Sequence, residues 1–216
     1  TISGKLTFRD LQGAAGDPIW IVNDTSATAR AVIQRTDAQN GDFVLVLRDS
    51  RYVTLDGTGG WSGMPAGATC PPLGGVPNGC GIYVTNTNAS ARPSVFFSIR
   101  GTSRDITVKG IEINGRWPTI DQGICLQAAD STETQTANPG VRYSDITIDG
   151  NYIRNCEGEG IYIGHNYGWS SDLDTLKVED ATVSNNWITN TGWDCVDIKQ
   201  SWYGTNAIHD NLLEDC

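Results

Sequence analysis

The sequence is poor in the residues that build helices. Its 216 residues include 1 Met, 4 Lys and 6 Glu, against 25 Gly, 15 Asn and 19 Asp. Scarce helix formers and abundant turn formers exclude a helical bundle and favour many short strands joined by tight turns. Long apolar runs are missing too. The longest, such as Phe43–Leu47, fall far short of the ~20 residues that carry a helix across a bilayer. No CxxC pair is present, so zinc-ribbon spacing is absent, and His165 and His209 are the only histidines. No nucleophile motif accompanies them, which removes a Ser-His-Asp hydrolase. An initiator Met and a charged-then-apolar leader are both lacking, so Thr1 reads as the start of a mature or trimmed chain. The length fits one domain, 1–216.

Bases are nearly absent from the last third. Residues 155–216 hold 11 acids against Lys177 and Lys199, whereas residues 1–154 hold 14 acids and 13 bases. The net charge of −10 is therefore almost entirely C-terminal. This argues against nucleic acid, whose phosphates need a basic face, and leaves room for a hard cation held by carboxylates. Six cysteines and two N-x-[ST] sequons, at Asn23 and Asn88, favour an oxidising, extracellular compartment and a glycoprotein. Cys70 and Cys80 bracket the Pro/Gly-rich stretch 71–79 and are expected to form a local disulfide. The pairing of Cys125, Cys156, Cys195 and Cys216 stays open.

Aligning the chain with itself reveals repeats. Asp145–Cys156, Ala181–Thr191 and Asn206–Cys216 are copies of one pattern, with Asn151, Asn186 and Asn211 at equivalent places 35 and then 25 residues apart. Fainter copies lie at Ser50–Gly57 and Ser103–Gly110. A second ladder of short strands recurs at Phe43–Val46, Gly81–Val84, Gly123–Leu126, Gly160–Ile163 and Cys195–Ile198. Period-two alternation puts Ile82, Val84, Ile124, Leu126, Ile161, Ile163, Val196 and Ile198 on one inward face. Short strands in register, with Asn/Gly turns and no helices between, predict an all-β, right-handed parallel β-helix with long loops at 57–80, 127–142 and 164–179. A sandwich would need two-residue hairpins, and few are visible. The Asn151/Asn186/Asn211 row reads as a structural amide ladder.

Two segments, Gly158–Gly164 and Asn186–Asp194, together with Gly13–Ile21 and Ser50–Gly59, resemble those of secreted parallel β-helix proteins of the pectate-lyase-like superfamily. That resemblance covers most of the chain. It implies an extracellular protein acting on polysaccharide, either a Ca²⁺-dependent uronate lyase or a non-catalytic adhesin, glycan-binding or assembly subunit. No complete lyase signature is present, and His165 belongs only to a fragment of the Gly-His-Gly motif of polygalacturonases.

Residues flanking the inward ones point outward: Tyr83 and Thr85, Cys125 and Gln127, Tyr162 and Gly164, Asp197 and Lys199. Asp197 and Lys199, two apart on a strand, share a face about 6.5–7 Å apart. Glu159 and Asp194 occupy equivalent positions on adjacent coils. Two carboxylates one strand spacing apart repel unless a cation lies between them. Glu157 and Asp197 are near enough to join an oxygen cage, although these acids can equally cap turn amides or pair with Arg154. By resemblance, Lys199 is the base of a β-elimination, with Asp197 beside it, and Glu157, Glu159, Asp194 and Asp197 are the Ca²⁺ ligands. Tyr162, His165, Tyr167, Trp169, Trp193 and Trp202 cluster as candidate carbohydrate contacts. The expected partner is an acidic polysaccharide or cell-surface glycan. The strand that should follow Cys216 is missing, which predicts either a native chain that continues past residue 216 or end-to-end self-association through an uncapped coil.

Overall fold

The computed structural model describes residues 1–37, 42–88, 92–119, 123–128, 142–164, 177–198 and 202–216. Turn residues divide the chain into short strands, and every strand pairs in parallel with its counterpart one coil later. The result is the expected right-handed parallel β-helix. Sheet I contains Ile2–Ser3, Ala31–Arg35, Ile82–Asn86, Ile111–Asn114, Tyr152–Cys156, Trp187–Thr191 and Leu212–Glu214. Sheet II contains Leu6–Arg9, Phe43–Arg48, Val95–Arg100, Ile124–Ala128, Ile161–Ile163 and Val196–Ile198. Sheet III contains Ile19–Val22, Arg51–Asp56, Arg104–Lys109, Ile146–Asp149, Thr182–Ser184 and Ala207–His209. A short fourth sheet pairs Arg142–Ser144, Lys177–Glu179 and Trp202–Tyr203. Among the described residues no helix is long and apolar enough to cross a membrane.

Inward residues of the three long sheets form one continuous core. Ile113, Ile153 and Ile188 come from sheet I, Phe97, Leu126 and Ile161 from sheet II, and Ile106, Ile148 and Val183 from sheet III, all buried. Each stacks on an apolar residue one coil away, so columns fill the interior, β-branched on sheets I and III at Ile113/Ile153/Ile188 and Ile148/Val183 and mixed on sheet II at Phe97/Leu126/Ile161. The sequence ladder needs one correction. Ile82–Asn86 belongs to sheet I, so Tyr83 and Thr85 face out from that sheet, and Val95–Arg100 fills the vacated place in sheet II. Alternation marks an inward face on either sheet and does not say which.

The turns from sheet III to sheet I place Gly110, Gly150, Asn185 and Asp210 at positive φ, a conformation Gly, Asn and Asp tolerate best. The residue that follows in the last three coils is the ladder asparagine. Asn151 Nδ2 donates to Asn186 Oδ1 at 3.0 Å, and Asn186 Nδ2 donates to Asn211 Oδ1 at 2.9 Å. A second ladder, unseen in the sequence, lines the turn from sheet I to sheet II. There Asn190 Nδ2 donates to Asn155 Oδ1 at 2.8 Å, and Asn155 Nδ2 to Asn114 Oδ1 at 2.9 Å.

Three disulfides tie the coils: Cys70–Cys80 as expected, Cys125–Cys156 and Cys195–Cys216. Cys125 is thus covered, its sulfur held in a bridge. In the Gly158–Gly164 segment, Gly160 is where two coils approach most closely. A Cβ there would lie 2.5 Å from Ile188 Cγ2 and 2.7 Å from the Cys195 carbonyl oxygen. Gly160→Ala should therefore lower the melting temperature by roughly 3–10 °C, from an overpacking cost of ~1–3 kcal/mol. Thermal denaturation followed by circular dichroism checks this, and an unchanged melting temperature refutes it.

Candidate functional site

The exterior of sheet II carries the residues that the sequence singled out. Gln127, Tyr162 and Asp197 stack in register on three successive coils. Just before these strands, the backbone fixes Glu159 over Asp194: Gly160 N–H donates to the Asp194 carbonyl at 2.9 Å, and Cys125 N–H to the Glu159 carbonyl at 3.0 Å. One strand spacing, about 4.8 Å, separates them along the axis. Glu159 is buried, Asp194 is exposed, and Glu157 and Asp197 are half-buried.

Tyr162 is 2% exposed, so its ring is covered rather than open as a sugar platform. Burial, then the charges of Asp197 and Glu159, push its phenol above the ordinary range. The hydroxyl stays protonated beside the two carboxylates, able to donate a hydrogen bond. Among the described carbohydrate-contact candidates, Trp193, at 66% exposure, is open to solvent. Lys199, His165, Tyr167 and Trp169 lie outside the described residues, and so does the side chain of Trp202. Among the described residues no three His, Cys, Asp or Glu side chains gather as a metal-ligand set. Glu159 and Asp194 place two acidic residues at equivalent positions one coil apart, and no third described acid joins them as a ligand set.

The sequons differ in setting. Asn23 is 4% exposed, with its Nδ2 donating to the Gly60 carbonyl and its Oδ1 accepting from Ala31 N–H at 3.0 Å. The folded protein does not present it. Asn88 is half-buried, and its Nδ2 donates to the Thr36 carbonyl at 3.0 Å. Ile208, Leu212 and Leu213 of the last described coil are exposed.

A second constellation, on the exterior of sheet I, escaped the sequence reading. Tyr83, Glu112, Tyr152 and Trp187 stack in one row. Glu112 is fully buried there, among polar partners. Arg154 Nε and Nη2 donate to its Oε1 at 2.9 and 2.7 Å, while Arg30 Nη1 and, at 2.7 Å, Asn78 Nδ2 donate to its Oε2. Burial works against the Arg154 charge, yet Glu112 outweighs it and holds the guanidinium above its ordinary range. Arg30 lies over Tyr83 at 4.1 Å, and Tyr152 stacks on Trp187 at 4.7 Å. Aligning the asparagine repeats one coil further up would have placed Glu112 above Tyr152 and shown an acid in an aromatic row. Asn78, inside the segment closed by Cys70–Cys80, makes Glu112 the post to which that segment is fastened.

The chain matches no protein-family model, no curated protein and no solved structure.

Proposed function

We propose that the protein is an extracellular, pectate-lyase-like β-helix that acts on an acidic polysaccharide through the exterior of sheet II. The observation that supports this reading most is the stacking of Glu159 on Asp194 beside the Tyr162–Asp197 pair, on one face of two adjacent coils. Three disulfides fit an oxidising compartment.

In β-elimination the proton on C5 of a uronate is removed and the glycosidic C4–O bond breaks, leaving a C4–C5 double bond. Lys199, which follows Ile198 in the sequence, is the base proposed to take that proton. Glu157, Glu159, Asp194 and Asp197 are the proposed Ca²⁺ ligands; no three of them gather as a ligand set, so polymer carboxylates would have to supply most of the shell. When bound, the cation would draw charge from the uronate carboxylate and acidify the C5 proton. Tyr162, kept neutral, would donate a hydrogen bond within this group.

Incubation with a panel of uronate polymers tests the reading by the ultraviolet absorbance of unsaturated ends. Turnover should appear with at least one polymer, stop on adding chelator, and fall by about a thousandfold or more in Lys199→Ala with the fold intact, as loss of a general base requires. Unchanged turnover in Lys199→Ala removes it as the base. Binding without turnover on any polymer favours the non-catalytic glycan-binding class.

A further inference from the structure

The exterior of sheet II changes sign along the helix axis. Its later coils carry Glu159, Asp194 and Asp197, whereas its first three coils end on arginine. Arg9, Arg48 and Arg100 are register partners on successive strands. Just across the turn into sheet III, Arg51 and Arg104 are partners in the same way. Five arginines thus share one corner over three coils, with about 4.8 Å between coils. Like charges stacked this way oppose folding.

The acids nearby answer them only partly. Arg9 reaches Asp10 and Asp49 at 3.5 Å each, Arg48 reaches Asp49 at 3.2 Å, and Arg104 reaches Asp105 at 3.6 Å. These are long, solvated pairs that contribute little. The side chains of Arg9, Arg48 and Arg104 remain 60%, 41% and 48% exposed. Arg100 turns back along its strand, with its guanidinium 4.6 Å from the Phe43 ring, and Lys5, held by Asp42 at 2.8 Å, is 5.5 Å from the same ring. The cationic surface therefore runs from the corner to the start of the strand. Positive charge exceeds negative here, in a protein of net charge −10.

We propose that this arginine corner binds the anionic groups of an acidic polysaccharide lying along the helix axis. Arg9, Arg48, Arg51 and Arg104 would each offer a guanidinium fork to a carboxylate or sulfate. Downstream residues of the same polymer would then reach Glu159 and Asp197. A single-stranded nucleic acid is the competing polyanion, and the test below separates it from the polysaccharide. The inference rests on the proposed action on acidic polysaccharide, so its test reads binding and not turnover.

Isothermal titration of the whole protein with polygalacturonate, alginate and a sulfated polysaccharide, at low and high salt, is the experiment. The triple variant Arg9→Gln/Arg48→Gln/Arg51→Gln should bind its best polymer about tenfold or more weakly, with a flatter salt dependence, while Lys109→Gln, which removes a cation from the sheet III strand Arg104–Lys109, binds as the parent does. Should the triple variant fail to fold, Arg51→Gln and Arg104→Gln singly should each weaken binding about two- to fivefold. Unchanged affinity in the folded variants overturns the proposal. So does absence of binding to every polymer, or tighter binding of a single-stranded oligonucleotide than of any polysaccharide. Binding that depends on the arginines, with no turnover anywhere, upholds the corner while the lyase reading fails.

Discussion

Asn186→Ala is expected to lower the unfolding free energy by roughly 3–5 kcal/mol, from about 1–3 kcal/mol for each buried polar group left without a partner. Asn186 Oδ1 accepts from both Asn151 N–H and Asn151 Nδ2 at 3.0 Å. Its Nδ2 donates to the Ile148 carbonyl and to Asn211 Oδ1, both at 2.9 Å. Alanine strands these groups in an interior that water does not reach, since Asn151, Ile148 and Asn186 are all buried. Asn211→Ala should cost less, roughly 1–2 kcal/mol, because Asn211 is half-buried and solvent can replace part of what it supplies. Urea unfolding of the two variants beside the parent decides it. A smaller loss for Asn186→Ala than for Asn211→Ala would show that the ladder is not what binds the coils.

Glu112→Gln has the second large expected effect, about 2–4 kcal/mol. Removing one partner of a buried ion pair costs about 3–5 kcal/mol. The Arg30 and Arg154 side chains are 25% and 32% exposed, so water recovers part of that loss. Segment 57–80 should also loosen, because Asn78 is fastened to the same carboxylate. Limited proteolysis should cut the variant within that segment sooner than the parent. A stability loss under about 1 kcal/mol, with unchanged cleavage, would mean that Glu112 is dispensable to both sheet and segment.

Repetition made the fold legible. The amide row and the β-branched residues before it recur with the coil, and coil-to-coil pairing forces them into columns. The second amide row, Asn114, Asn155 and Asn190, was hidden because Asn114 belongs to a coil with no ladder asparagine, where Ile111 stands at that place. The sheet of Ile82–Asn86 was misjudged because inward alternation is common to all three sheets. At the candidate site, equal spacing was enough to stack Glu159 on Asp194. Burial of Tyr162 was not foreseeable, since period two separates inward from outward but not covered from open. Glu112 and the arginine corner were missed for another reason: each depends on side chains 34 or more residues apart, brought together only by register.

The most direct measurement is a crystal structure of Lys199→Ala soaked with a uronate oligomer. The oligomer should lie along the exterior of sheet II, with a carboxylate within about 2.7–3.2 Å of a guanidinium nitrogen of Arg48 or Arg51, and with its chain directed toward Glu159 and Asp197. An oligomer seated instead on sheet I, against Trp187 and Arg154, would contradict the assignment of sheet II as the working face.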